Sequence, residues 1–400
     1  MANPQQVVQA EPTVLTVQRH IASTVAQRLV PEIKDRILFR TPDAAPLMTI
    51  VKGTRGKQTT GNRIFGALFK DDIPRTSSVA DATVTDVATT VNVPTGEGAR
   101  FYANSTVLNT RTREVFRCVS VAVDALTVAR LSNGQGMILG DGLQLLGGAF
   151  PDGAAKGNLK SIAETYRWSA CTIHRTGWML TRRQRKGNMY GGRDEVSEKQ
   201  AQLVRHMQEI ELKALFDRRF VGTIATGQEV TYTMGAEEAT SQNVWDLENQ
   251  KPDFNQFNAA LELYMAEGEG GYRNNKAGGS KVLFASPAWC SLFDSWYADR
   301  IHTEPVGGEG WSFQMKYVET SHGKLSIMRH PLLVGAHAGR AFLVDPNHVT
   351  YYNYTDGDTQ LNDVTTPGDD GVEYEYLTDF GLLWEHPLAH AQFLNLPATV

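Results

Sequence analysis

No apolar run in this chain approaches the ~20 residues that a membrane-spanning helix needs, so no such span is expected. The N-terminus, MANPQQVVQAEPTVLTV, lacks a basic stretch followed by an apolar one. That argues against a secretory signal and predicts a chain made and used in the cytoplasm. Cysteine is scarce: Cys118, Cys171 and Cys290 are odd in number and widely spaced. They make no CxxC pair and suggest no disulfide framework, as expected of a reducing compartment, and read as core or strand residues. Positive charge is not in excess either, with 39 Lys and Arg against 44 Asp and Glu, a net of −5. A dedicated nucleic-acid binder usually concentrates a basic excess on one face.

Motifs that carry chemistry are also missing. KGTRGKQT places Gly53 and Gly56 only two residues apart, with Gln58 after Lys57. A phosphate cradle needs G-x-x-x-x-G-K-[ST], so this stretch reads as a solvated, flexible loop. Glycines in GEGGYRNNKAGGS lack the preceding strand and spacing of a dinucleotide site. EHPLAH brings Glu385, His386 and His390 together in sequence, but Pro387 breaks the helical turn that a His pair would need. Asp356, Asp358, Asp369 and Asp370 miss the calcium-loop register, and Ser286, Cys290 and Ser291 sit in no nucleophile motif. No catalytic, metal-binding or cofactor-binding residue is expected.

What the chain does have is a rod. Asp194–Arg219 carries apolar residues at Val196, Leu203, Met207, Ile210 and Ala214, widened by Val204 and Leu215. That spacing predicts one buried stripe on one long helix, the spine core. Glu195/Lys199, Arg205/Glu209 and Glu209/Lys213 set opposite charges four apart on the outer face. Asp194 can cap the start, after Gly191-Gly192, and Gly222 offers a stop.

Around the rod the chain alternates between extended and compact stretches. Residues 1–45, interrupted by Pro31, Pro42 and Pro46, read as an arm that orders only against another surface. Residues 101–150 hold strands at Val115–Val123 and Leu126–Arg130, turning at Asp124-Ala125, then two more short runs punctuated by Asn133-Gly134 and Gly140-Asp141-Gly142. Such spacing predicts a small β-module, residues about 97–150, between Gly96/Gly98 and Gly147/Gly148. RRQRK (Arg182, Arg183, Arg185, Lys186) precedes the rod. It reads as a solvated strand end, an ion-pairing patch for a neighbouring copy, or a phosphate contact; the near-neutral chain favours the neighbour. Beyond the rod, Phe254, Phe257, Leu261 and Met265 mark a helix, with Ala260 and Tyr264 beside them. Lys281–Ala285 is a strand, and Ser286-Pro287 starts a helix with Leu292, Phe293 and Trp296 on its apolar face. FQMKYVET and KLSIMRH pair across Ser321-His322-Gly323, AFLVDP is buried, and Val372–Trp384 closes the fold. Residues 250–345 thus argue for an α/β layer.

The order YRWSACTIHRTGWMLTRRQRKGNMYGG, rod, KVLFASPAWCSLF, KYVETSHGKLSIMRHPLL, AFLVDP resembles the major capsid proteins of tailed bacteriophages with the HK97-type fold. It is most similar to the branch with a β-module inserted in the extended loop, over roughly residues 45–350. The resemblance implies an α+β capsid fold: N-terminal arm 1–45, extended loop 46–190, peripheral domain 191–250 around the spine helix, axial domain 251–345 opened by the SPAW helix, and a C-terminal return 346–400. It further implies hexamers and pentamers closing an icosahedral shell around double-stranded DNA, without sequence-specific binding, in a virion assembled in the host cytoplasm. A portal, a cement protein and, given the short N-terminus, a separate scaffolding protein are the implied partners; no cofactor or membrane is. Two rival readings are an encapsulin-like nanocompartment shell and a hydrolase whose site is assembled from distant residues.

Overall fold

A computed structural model describes residues 45–70, 74–131, 134–150, 152, 163–187, 194–224, 226–266, 280–297, 302–308, 311–320, 322–355 and 357–397. The expected arm (except Ala45) and the GEGGYRNNKAGGS loop (except Ser280) lie outside them. Six α-helices are present among these residues: α1 (Pro46–Arg55), α2 (Arg182–Lys186), α3 (Asp194–Phe216), α4 (Ala236–Ala239), α5 (Phe254–Tyr264) and α6 (Pro287–Tyr297). The chain divides into two compact units, 65–168 and the remainder.

In the larger unit the strongest organising signal is strands that are apolar without alternating. Ser280–Ala285 and Ala341–Val344 are buried on both faces, as such runs require. They lie centrally in a seven-stranded mixed sheet, ordered 244–246, 391–394, 341–344, 280–285, 323–329, 311–320, 302–308. Alternate residues serve two cores. Val282, Phe284, Phe342 and Val344 point into the first, while Leu283, Ala285, Ala341 and Leu343 point into the second. The second core is roofed by α5 and α6 through Phe257, Leu261, Trp289, Leu292 and Phe293, with Phe257 and Phe293 edge to face at 5.0 Å. Asp253 and Gln256 cap α5 reciprocally. α6 begins at Pro287 as expected, but the Ser286 hydroxyl is buried with no partner among the described residues, so it does not cap.

The first core is closed by α1, α3 and a five-stranded sheet. Its longest member, Gly371–Trp384, pairs antiparallel with Thr172–Thr181 over ten residues and with Val349–Tyr354 on its other side. Gln360–Asp363 pairs with residues 374–377, and Lys57–Thr60 pairs in parallel with 351–354. Lys57–Thr60 corrects one expectation: KGTRGKQT is the last turn of α1 followed by a strand. Gly56, at φ 72°, makes the change of direction between them.

The smaller unit carries a six-stranded antiparallel sheet in the order 76–78, 142–148, 105–109, 115–122, 125–130, 90–92. Val91, Val107, Phe116, Cys118, Leu126 and Leu143 fill its core. The sheet reaches further back than 97–150, because 76–78 pairs with 142–144 and 90–92 with 125–127. Gly96 and Gly98 therefore sit inside this unit, where both backbone amides donate to Asp124 Oδ1 at 2.9 and 3.1 Å. Val123 forms the tight turn at φ 54°, an unfavourable region for a β-branched residue. A Cβ on Gly98 would collide with the Val123 carbonyl, which is why that position must be glycine.

Candidate functional site: the long helix and its polar anchors

α3 spans Asp194–Phe216, three residues shorter than expected at its C-terminal end. At 3.6 residues per turn, Val196, Leu203, Met207, Ile210 and Ala214 fall within about 60° of one another around its axis. Their burial differs sharply. Ile210 and Ala214, with Leu215, are buried in the first core, and Met207 packs against it half-buried. Leu203 and Val204 are half-buried, and Val196 is 54% exposed. Val196 is thus not buried by the described residues: the stripe is continuous, but they cover its N-terminal half only in part.

The sequence reading missed the polar groups beside the stripe. Glu211 is fully buried, and its two oxygens accept from the Leu47 and Met48 amides at 2.7 and 3.1 Å. Those amides belong to the first turn of α1, so the carboxylate caps a helix 164 residues away in sequence. His330 completes the site, with Nε2 2.9 Å from Glu211 Oε1. Its Nδ1 accepts from the Leu332 amide at 3.2 Å, which assigns the proton to Nε2. One carboxylate therefore joins α1, α3 and the end of strand 323–329.

Toward the five-stranded sheet, α3 presents His206 and Glu209. His206 is buried between Thr176 (2.9 Å) and Thr378 (2.8 Å) and stacks on His174 at 4.7 Å. Burial, and then the neighbouring His174, pull its pKa down to about 4. Glu209 accepts from Thr176 at 3.0 Å, lies 3.0 Å from His174 Nε2 and pairs with Arg205. Burial lowers the pKa of His174 too, against the opposing pull of Glu209. Near the helix start, Tyr374 donates to Glu195 at 2.8 Å, Tyr376 donates to the Lys199 carbonyl, and Lys199 lies over the Tyr374 ring. The expected Glu195/Lys199 and Arg205/Glu209 pairs form; Lys213 turns instead to Asp217 at 3.9 Å. No sequence signal separated these anchors from ordinary surface polars, because hydroxyl partners such as Thr176 and Thr378 lie 30 and 172 residues from His206.

RRQRK forms α2, a single helical turn capped by Thr181, in place of a strand end. Arg182 pairs with Asp370 (2.7 Å) and Arg185 with Glu195 (3.2 Å). Arg183 and Lys186 are exposed and make no ion pair with a described residue. The Glu385–His390 stretch scatters its groups: Glu385 takes Arg55 at 2.6 Å, and His390 Nδ1 accepts from the Asp345 amide. Among the described residues no set of His, Cys, Asp or Glu converges as a metal site, and no helix is long and apolar enough to cross a membrane. Cys118 and Cys171 are buried and Cys290 half-buried, all as free thiols; burial pushes Cys171 up to about 12. An open groove of about 530 Å³ beside Trp245 and Gln256 is lined by two acids, Asp246 and Glu248, of which Asp246 is already bonded to the Glu248 amide and Asn395.

Lysine also serves structure here. Lys281 is buried within the seven-stranded sheet, and its ammonium donates to the Tyr264 and Ala389 carbonyls at 2.7 Å each. It satisfies the C-terminal end of α5.

A long helix held lengthwise on a sheet by polar anchors, beside a mixed sheet with helices on its far face, is the arrangement of the HK97-type α+β capsid fold. A sequence model described as SU10 major capsid protein matches residues 13–397, and the chain belongs to that family of phage major capsid proteins. The major capsid protein of Pseudomonas phage PaMx41 is 28% identical over 223 residues, covering 54% of this chain and 52% of that protein. Among solved structures, the holo-SrpI encapsulin complex of Synechococcus elongatus PCC 7942 matches with TM-score 0.50 at 10% identity, over 96% of this chain and 98% of that one. A chain from Mycobacterium phage Bobi covers 94% and 98% at 8% identity, with TM-score 0.47. The first of these likenesses bears on fold alone.

Proposed function

We propose that this chain builds an icosahedral shell of hexamers and pentamers that encloses double-stranded DNA, assembled in the host cytoplasm and residing in the virion. Its role is structural. The observation that carries this reading is membership of a major capsid family along nearly the whole chain. A separate scaffolding protein, a portal and a cement protein are its proposed partners. DNA would be held by enclosure, in keeping with a net charge of −5. The contact between copies includes the basic turn α2. Because Arg182 and Arg185 are engaged within the chain, Arg183 and Lys186 are the charges left to meet acids of a neighbour.

Electron microscopy of the purified chain, alone and expressed with its scaffold, tests the proposal. Large closed shells with five-fold and six-fold capsomers are expected. Small cages that form without other phage proteins would move the chain to the nanocompartment class, and a protein that never assembles would overturn the shell reading. Raised salt should weaken assembly through Arg183 and Lys186.

A further inference from the structure

Between α3 and the five-stranded sheet runs a buried chain of hydrogen bonds in which one hydroxyl proton has two acceptors. Thr378 donates its hydroxyl proton to Thr359 Oγ1 at 2.9 Å, so toward His206 it can only accept. His206 Nε2, 2.8 Å away, must then carry a hydrogen, which leaves Nδ1 of the neutral ring as an acceptor. Thr176 Oγ1 lies 2.9 Å from that Nδ1 and 3.0 Å from Glu209 Oε2. In the neutral state Thr176 donates to His206, and Glu209 keeps two other donors, His174 Nε2 at 3.0 Å and Arg205 Nε at 3.0 Å. His206 is fully buried, and Thr176 and Thr378 are 6% and 1% exposed, so protein groups rather than bulk water settle where each proton points.

A proton arriving at Nδ1 reverses one bond. Nδ1 becomes a donor to Thr176, and Thr176 turns its own proton to Glu209, whose carboxylate can accept it beside the bond from His174. Every group has a partner before and after. The charged and titratable groups facing the two rings are Arg205, Glu209 and Lys213 of α3 and Tyr376 of strand 371–384, and the rings face each other at 4.7 Å. Burial and then His174 oppose a charge on His206, and Glu209 favours it. We propose that Thr176 is a two-position switch thrown by one proton on His206, through which the hold of α3 on strands 172–181 and 371–384 survives acidification with its hydrogen bonds redirected rather than broken.

Nitrogen NMR of the full, unassembled chain labelled at histidine tests the switch, with the two rings assigned from the spectra of His206→Asn and His174→Asn. At neutral pH His206 should appear as the Nε2–H tautomer with Nδ1 accepting. Thr176→Val, close in shape but without the hydroxyl, should lower the pH at which His206 charges by about one unit or more, a tenfold loss of proton affinity. Thr176→Ser should keep the native midpoint. Glu209→Gln, which removes the charge that receives the turned hydroxyl, should lower the midpoint as well and covers the event that the valine variant does not fold. A neutral His206 protonated at Nδ1 would overturn the proposal, as would a native midpoint in Thr176→Val or in Glu209→Gln.

Discussion

The two halves of α3 share one apolar periodicity and differ in everything that periodicity does not encode. Around Ile210–Leu215 the stripe meets two sheets and α1, and the polar residue beside it, Glu211, is buried with every oxygen engaged. Around Val196–Val204 the described residues cover the same stripe only in part, and Glu195 and Lys199 hold the helix's flank to Tyr374 and Tyr376. A repeat of apolar residues therefore states that a face is to be covered; it does not state by what.

Perturbing the closed half should have the largest effect. Glu211→Ala leaves the Leu47 and Met48 amides and His330 buried without their acceptor. A loss of about 3–5 kcal/mol is expected in chemical unfolding of the unassembled chain, comparable to the net stability of many domains. A loss under about 1 kcal/mol would mean that water reaches these groups.

Next comes a pair that sets the halves against each other. Met207→Asp places a carboxylate at the edge of the first core, where Met207 is half-buried, and should cost about 2–3 kcal/mol. Val196→Asp should cost less than about 0.5 kcal/mol, because Val196 is largely exposed. Equal costs in thermal melts would show that the two halves are buried alike.

Acidification probes the flank. The pKa of His206 is about 4 in the folded chain, against an ordinary value near 6.5, so the unfolded state takes up the proton first. Stability associated with this residue is full above pH 6.5 and is lost as pH falls toward 4, after which the loss levels off. His174 and Glu209, with Thr176, Thr378 and the Tyr376 ring, face it from the helix and the sheet. The melting temperature should fall more steeply between pH 6.5 and 4 in the native chain than in His206→Asn. Parallel profiles would remove His206 from the account.

The smallest effect is expected at α2. Arg182→Ala with Arg185→Ala breaks two largely exposed pairs and should change the stability of the unassembled chain by about 1 kcal/mol or less. A larger fall in a chemical melt would show α2 to be a fastening of the fold.

Much of this fold was legible in sequence because its cues are local. Lys281–Ala285 reads as a strand and AFLVDP as a buried one, and of Phe254, Phe257, Leu261 and Met265 the last three are buried and Phe254 partly so. What stayed hidden depends on partners far along the chain. Lys57–Thr60 is polar and short, and becomes a strand only because 351–354 lies beside it. The edge strands 76–78 and 90–92 are three residues each and gain their place from 142–144 and 125–127. Asp141, buried and held near pKa 2 chiefly by its bond to Arg111, looked like an ordinary turn residue. His206 and Glu211 are likewise polar letters in an amphipathic helix until Thr176, Thr378, His330 and the start of α1 are brought to them.

The most direct test of the two-halves account sets one truncation in each half side by side. Ile210→Ala and Val196→Ala are each made in the full chain, and urea unfolding of the unassembled protein is followed for both. Ile210→Ala should cost about 2–5 kcal/mol, because the side chain is buried in the first core. Val196→Ala should cost about 0.5 kcal/mol or less, because its side chain is largely exposed. Equal costs would contradict the account, since the two halves of the stripe would then be covered alike.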